Sequence, residues 1–171
     1  MTRIRLILPT LAALSFAALV VAGCGGSSKS SAPPTNPSGK PATVGVASTG
    51  LGNVLVDTQG RTLYLFEQDK GATSTCTGSC AANWPPLQAT GKPSVGSGAR
   101  PSLLGTSRRS DGKLQVTYDG HPLYLFAQDS SAGQTNGQGV NAFGAFWYVL
   151  SPAGTAITTA PQNSNGGGNG Y

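Results

Sequence analysis

Apolar and polar residues alternate over short stretches of the chain, and turn-forming residues separate these stretches. Val44–Ala47, Val54–Val56 and Leu63–Phe66 are β-branched or aromatic runs, each bounded by Gly, Asn or Asp. This pattern is typical of short β-strands, and the 3.6-residue periodicity of amphipathic helices is absent from the sequence beyond residue 42. The sequence therefore predicts an all-β domain.

The chain contains the same unit twice, at an offset of 60 residues. Gly-Arg-Thr-Leu-Tyr-Leu-Phe-Glu-Gln-Asp at 60–69 aligns without a gap with Gly-His-Pro-Leu-Tyr-Leu-Phe-Ala-Gln-Asp at 120–129, and seven of the ten positions are identical. Beyond the motif the second copy has three additional residues, after which Trp84 aligns with Trp147. We therefore predict a tandem duplication with repeats at 43–98 and 103–155.

Each repeat is predicted to form a four-stranded antiparallel meander, and the two meanders are expected to pack as a small sandwich or a barrel. Asp119-Gly120 predicts a two-residue hairpin turn in which both residues have positive φ. The alternation in 63–66 places leucines on one face and aromatic residues on the other, so this strand should be covered on both faces. Pro85-Pro86 predicts a short or edge strand after Trp84, because proline cannot donate to a central ladder.

The first 23 residues are typical of a bacterial export signal. Arg3 and Arg5 precede an apolar run from Leu6 to Val21, which is shorter than the ~20 residues that a spanning helix needs. Val-Ala-Gly-Cys at 21–24 resembles the lipobox of bacterial lipoproteins. This resemblance implies that Cys24 becomes the mature N-terminus and carries a covalent diacylglycerol, which anchors the chain to a membrane. The alternative is an ordinary secretory signal that leaves a free thiol.

The segments that flank the predicted domain at 43–160 are polar and rich in small residues. Ser, Pro and Gly dominate 24–42, and Asn and Gly dominate 161–171, which predicts a flexible tether and a disordered tail. Without the export signal the chain has nine basic and six acidic residues, a net charge of about +3. Such weak and scattered charge argues against nucleic acid as a partner. The expected location is the extracytoplasmic face of the cell membrane.

The repeated Tyr-Leu-Phe-x-Gln-Asp resembles the motif of a family of tandemly repeated secreted bacterial lipoproteins, Tyr-x-(Phe/Trp/Tyr)-x-x-Asp. The matching positions are Tyr64, Phe66 and Asp69, then Tyr124, Phe126 and Asp129. The segment from Cys76 to Leu87 also looks like the family's pattern after the first motif. The resemblance covers most of 43–155 and implies an envelope location and a tandem architecture, but it implies no reaction.

The two motifs allow two interpretations. A phenol and a carboxylate repeated by symmetry could line a polar site between the repeats. Alternatively, Asp69 and Asp129 accept backbone N–H groups in the turn after each strand, while the tyrosines pack with their hydroxyls bonded at the rim. The structural interpretation is simpler, because both copies of the motif would then be explained by the same turn, which occurs once in each repeat.

Cys76 and Cys80 are the only cysteines besides Cys24. An exported domain meets an oxidising compartment, so we expect a local disulfide between them. Their spacing differs from the Cys-x-x-Cys of redox proteins, and a metal site would need further ligands, of which His121 is the one histidine of the chain. We therefore predict no metal ion, no cofactor other than the lipid and no catalytic residue.

These observations favour a non-enzymatic lipoprotein of the cell envelope, acting as a binding or structural module for an unidentified envelope ligand or protein. The loops at 70–84 and 130–146 are where the repeats diverge, and loops on a rigid scaffold commonly carry binding sites. The alternative is a redox- or metal-linked protein in which Cys76 and Cys80 cycle or bind an ion near electron-rich aromatic residues, namely Tyr64, Tyr124, Trp84 and Trp147.

Overall fold

The computed structural model describes residues 41–159, which form ten short strands, one short α-helix and one 3-10 turn. The first repeat contains β1 (Thr43–Thr49), β2 (Gly52–Val56), β3 (Tyr64–Phe66), α1 (Ser79–Asn83), β4 (Gln88–Ala89) and β5 (Ser94–Val95). After the 3-10 turn at Pro101–Leu103, the second contains β6 (Leu104–Arg108), β7 (Leu114–Tyr118), β8 (His121–Pro122), β9 (Val140–Ala142) and β10 (Ala145–Val149). The export segment, Cys24 and the tail at 161–171 lie outside the described residues.

The strands form three small sheets, in the orders β2-β1-β5, β3-β10-β9 and β4-β7-β6, with β8 added to β7. The all-β class and the tandem architecture are confirmed, and no closed barrel forms in residues 41–159. Neither repeat forms a complete four-stranded meander of its own. β6, β7 and β8 are consecutive antiparallel neighbours in the second repeat, but β3 pairs with β10 and β4 with β7, across the repeats. Long loops follow Phe66 and Phe126 instead of hairpin turns, so β3 and the segment around Tyr124 are free to pair with residues of the other repeat.

The hairpin turn predicted in the second repeat is present. Asp119 and Gly120 have φ values of 49° and 78°, and Tyr118 pairs with His121 on either side of them. The equivalent turn of the first repeat is longer, as its sequence predicts. There the Asp57 carboxylate accepts the backbone N–H of Gln59 and forms an ion pair with Arg61 at 2.6 Å.

The helix α1 is not expected from the sequence, because five residues are too few to show helical periodicity. It carries Cys80 on its buried face and ends where the Trp84 N–H donates to the Cys80 carbonyl at 2.8 Å. Pro85-Pro86 then interrupts regular pairing, leaving a single bridge between Pro86 and Tyr124 before the two-residue β4. The prediction of a short strand at this place is correct.

Two hydrophobic cores lie on opposite sides of the motif segments 63–66 and 123–126. Leu63, Leu65 and their counterparts Leu123 and Leu125 belong to an aliphatic core whose other members include Val44, Leu55, Leu87, Val116 and Leu150. The motif tyrosines and phenylalanines belong to an aromatic core with Val54, Val56, Cys76, Cys80, Trp84, Trp147 and Val149. The alternation in 63–66 is therefore the feature of the sequence that separates the two cores.

Candidate functional site

The two motif tyrosines lie side by side at the centre of the domain. The Tyr64 N–H donates to the Tyr124 carbonyl, and the Tyr124 N–H donates to the Tyr64 carbonyl, each over 2.9 Å. The hydroxyl of Tyr64 donates to Asp129 Oδ2 and that of Tyr124 to Asp69 Oδ2, both over 2.6 Å. Each tyrosine therefore bonds the aspartate of the opposite repeat, so the structure does place phenols and carboxylates between the repeats.

Each aspartate also holds the loop that follows it in its own repeat. Asp69 Oδ1 accepts the backbone N–H and the hydroxyl of Thr75, each over 2.7 Å. Asp129 Oδ1 accepts the backbone N–H of Asn136 over 3.0 Å. One carboxylate therefore joins a loop of one repeat to the core strand of the other.

Burial governs the ionisation of these groups. It raises the pKa of both tyrosine hydroxyls well above the ordinary value of 10.0, and the hydrogen bonds to the carboxylates raise both pKa values further. Burial also raises the pKa of the Asp129 carboxyl above 3.8, although the hydrogen bond from Tyr64 opposes this shift. A phenol with a raised pKa stays protonated at neutral pH, which suits a hydrogen-bond donor and not a general base.

Arg109 is a buried cation that is not among the site residues predicted from the sequence. Its guanidinium donates to Ser74 Oγ, to Gln115 Oε1 and to the Cys76 carbonyl, each over 2.7 Å. Ser74 Oγ also lies 2.7 Å from the Tyr124 hydroxyl, so a hydrogen-bonded chain connects Arg109 to the Asp69 carboxylate. Arg109 therefore holds the loop of the disulfide on the second repeat. Strand alternation in the sequence gives no signal for its burial, because Gly105 and Ser107, which precede it on the same face, are not apolar.

Four aromatic rings form a continuous stack, which we call the aromatic column. In order they are Phe66, Trp147, Trp84 and Phe126, with ring centroids separated by 4.0 Å, 4.0 Å and 4.2 Å. Each motif phenylalanine stacks on the tryptophan of the opposite repeat. Tyr64 and Tyr124 contact the edges of Trp84 and Trp147 at 5.4 Å and 5.1 Å. The middle residue of each motif therefore has a defined role in packing.

The loop of the second repeat reaches the aromatic column at Gly137. A Cβ at this position would lie 2.7 Å from the Trp84 ring and 2.9 Å from the Tyr64 ring, so a larger residue would displace the loop. The Gly137 N–H points at the Tyr64 hydroxyl over 3.3 Å. Close approach of the backbone explains why this position is glycine.

The predicted disulfide between Cys76 and Cys80 is present, with a Cα–Cα distance of 5.3 Å. The two cysteines are 1% and 6% exposed and belong to the aromatic core. His121 does not join them. It lies in β8 opposite Tyr118 and lines a separate open cleft with Asp69 and Lys70. Among residues 41–159, no group of three or more His, Cys, Asp or Glu side chains could hold a metal ion.

The hairpin β9–β10 has a tip of unusual composition. Phe143 and Gly144 occupy its two turn positions with φ values of 59° and 98°. Phe143 is 44% exposed, and Phe146 on β10 is 40% exposed and stacks on Tyr148 at 5.9 Å. Asn, Asp or Gly usually occupies the first position of such turns, because a bulky side chain is strained at positive φ. The tip of this hairpin lies in the segment 130–146, where the sequence predicts binding.

Comparison with known proteins identifies both repeats. A family model described as a secreted repeat of unknown function matches residues 45–88 and 105–151, more than half of the chain. A search of curated proteins and a search of solved structures find no match. Within residues 41–159, no helix is long and apolar enough to cross a membrane.

Proposed function

Because the chain belongs to the family of secreted repeats of unknown function, we propose that it is a non-enzymatic binding module of the cell envelope. The diacylglycerol expected on Cys24 anchors it to the extracytoplasmic face of the membrane. Two acyl chains suffice for stable anchoring, since each buried methylene contributes about 0.8 kcal/mol. The mature domain then faces an unidentified envelope ligand or protein.

The main support for this proposal is the backbone conformation of Phe143, which has a positive φ of 59°. A non-glycine residue in the left-handed region costs about 1–2 kcal/mol. The Phe143 side chain is 44% exposed, so packing within the domain offsets little of this cost. A strained and exposed aromatic residue on a fixed loop supports a contact outside the protein. The hydrogen bond from Asn136 to Asp129 fixes the loop that leads into this hairpin.

Site-specific photocrosslinking in intact cells tests the binding surface. A photoreactive phenylalanine analogue replaces Phe143, and the same analogue at the exposed turn residue Thr58 serves as the matched control. We expect discrete covalent adducts from position 143 and none from position 58. Equal adduct patterns from both positions, or none from either, would contradict the proposed surface.

The lipid anchor has its own test. Intact-mass spectrometry of the protein extracted from membranes should show a diacylglyceryl modification on the first residue of a chain that starts at Cys24. A membrane-extracted chain that lacks this modification would show that the chain is held in another way.

The competing redox function draws support from the packing of the disulfide in the aromatic core. Its burial argues the other way, because thiol–disulfide exchange requires access to a sulfur atom. A free-thiol assay on the folded protein, with and without a mild dithiol reductant, separates the two functions. We expect no reactive thiol in either condition, whereas rapid and reversible reduction would favour the redox function.

A further inference from the structure

A second surface of the domain carries an apolar groove, away from the motif residues. Its volume is about 550 Å³, and Pro93, Val95, Pro101, Leu104, Thr106 and Leu114 are among the residues that line it. Val95 is 38% exposed, and Leu104 and Leu114 are half-buried at the margin of the aliphatic core. The volume lies within the range of pockets that bind small molecules, which is roughly 300–1,000 Å³.

Exposed basic residues lie on the segments that line this groove. Of the seven basic residues in 41–159, five lie between residues 90 and 118 together with a single acid, Asp111. One of these five, Arg109, is buried and bonded within the domain, so four remain at the surface. The rest of the described chain has two basic and five acidic residues. Lys92 lines the groove, and Arg108 is the cross-strand partner of Leu114. Both side chains are exposed, as are those of Arg100 and Lys113, which adjoin lining residues.

The chain enters the fold beside the same groove. Ser94 donates its N–H to the Ala42 carbonyl over 2.8 Å, and Val44 pairs with Val95 in the parallel β1–β5 ladder. The sequence predicts a tether at 24–42 between Cys24 and the first strand, and a flexible chain of that length reaches roughly 20–25 Å. A lipid on Cys24 would therefore keep this side of the domain close to the membrane.

We infer that the groove binds an anionic phospholipid of the membrane to which the chain is anchored. One acyl chain lies along Val95, Leu104 and Leu114, and the phosphate pairs with the ammonium group of Lys92 at the rim. Apolar lining and rim cations match the two parts of such a lipid, whereas a soluble polyanion would match the cations alone. The inference uses the proposed anchor only for the orientation of the groove.

Co-sedimentation with vesicles tests the inference independently of the anchor. The protein is residues 25–171, exported without a lipid, which retains every residue of both described cores. The vesicles are phosphatidylglycerol or phosphatidylcholine at low salt. We expect binding to phosphatidylglycerol only, and an excess of glycerol phosphate should not displace the protein.

Two variants with matched controls locate the site. Lys92→Glu should weaken vesicle binding about tenfold, because a basic residue near an anionic surface attracts it and an acidic one repels it. Lys70→Glu, the same change at an exposed lysine outside the basic region, should have a much smaller effect. Thr106→Trp, which fills the groove from an exposed position, should abolish binding, and Thr58→Trp should not. Thermal unfolding checks that all four variants fold.

Several outcomes would overturn the inference. Equal losses for Lys92→Glu and Lys70→Glu would show adsorption by net charge, and displacement by glycerol phosphate would show a site for phosphate alone. Undiminished binding of Thr106→Trp would exclude the groove, and absence of binding to phosphatidylglycerol would exclude a lipid site. None of these results bears on crosslinking from Phe143, so the proposed function stands or falls separately.

Discussion

The hydroxyl of Tyr64 and the carboxylate of Asp129 are 65 residues apart in the sequence and 2.6 Å apart in the structure. The symmetric pair, Tyr124 and Asp69, has the same separation between its atoms. A single copy of the family motif therefore does not contain a complete tyrosine–aspartate pair. Each of the two pairs takes its tyrosine from one repeat and its aspartate from the other. Each motif supplies a donor to one pair and an acceptor to the other.

A double-mutant cycle can measure this exchange between repeats. Tyr64→Phe should lower the free energy of unfolding by about 1–3 kcal/mol, because Asp129 loses a hydroxyl donor in a buried place. Combined with Asp129→Ala, the two losses should be less than additive by about 1 kcal/mol or more. Tyr64→Phe combined with Asp69→Ala is the control and should be additive within about 0.5 kcal/mol. Chemical denaturation supplies the free energies, and stronger coupling of Tyr64 to Asp69 would contradict the pairing.

The raised pKa of Asp129 predicts a pH dependence of stability. A carboxyl group whose pKa is higher in the folded state holds its proton more tightly there, so its contribution to stability falls as pH rises through 3.8 towards the folded pKa. Wild type should therefore lose stability relative to Asp129→Asn over this window, and the difference should be constant at higher pH.

The exposed Asp111 is the control for this measurement. The backbone hydrogen bond from Lys113 and the nearby basic side chains lower the pKa of the Asp111 carboxyl. The stability that Asp111 contributes is present above 3.8 and is lost as pH falls, so Asp111→Asn should show a small difference of opposite sign. Differences of the same sign for both variants would refute the assignment.

The buried Arg109 should be important for the loop of the disulfide. Arg109→Met removes charge-assisted hydrogen bonds to Ser74, Gln115 and the Cys76 carbonyl, and we expect a loss of about 3 kcal/mol. Amide hydrogen exchange should also accelerate in the segment 70–80. Arg108→Met, the same change at the exposed neighbouring residue, should alter stability by less than about 0.5 kcal/mol. Equal effects of the two variants would show that the network contributes little.

Relief of backbone strain should make one variant more stable than wild type. Phe143→Asn places a residue that tolerates positive φ at the tip of the β9–β10 hairpin, and we expect a gain of roughly 0.5–1 kcal/mol. Phe146→Asn, at an exposed position in regular strand conformation, should give no gain. Calorimetric unfolding distinguishes the two, and a destabilised Phe143→Asn protein would mean that Phe143 packs usefully within the domain.

The sequence predicts those parts of the fold that depend on neighbouring residues. Asp119-Gly120 determines its turn through its own dihedral angles, and the alternation in 63–66 divides the two cores because successive strand side chains point to opposite faces. The pairing of Tyr64 with Asp129 was not predictable in this way. The repeat offset identifies Asp69 and Asp129 as equivalent, but equivalence does not say which tyrosine each one meets.

Two other features depend on context that a single sequence does not contain. Arg109 lies beside the exposed Arg108, and only the folded position of the loop around Ser74 shows which of the two is buried. Phe143-Gly144 has no residue at the first turn position that normally indicates a hairpin, so the β9–β10 turn has a weak signal. The ladder between β9 and β10 is what keeps Phe143 in a strained conformation.

Neither repeat should fold by itself. The halves 43–98 and 103–155 should each lack cooperative unfolding when produced separately, because β3 and β4 find their partners β10 and β7 in the other half. Mixed in equal amounts, they should recover the near-ultraviolet circular dichroism of the stacked tryptophans. A stable and monomeric single half would contradict this expectation.

The exchange of contacts also bears on how such a gene arose. A single-copy ancestor would have held a tyrosine without its aspartate, an aspartate without its tyrosine and a tryptophan without its stacking partner. In a homodimer with twofold symmetry, each copy would have supplied the hydrogen-bond and stacking partners that the other lacked. Gene duplication and fusion would have converted this bimolecular association into an intramolecular one and left the two surface loops free to evolve different sequences.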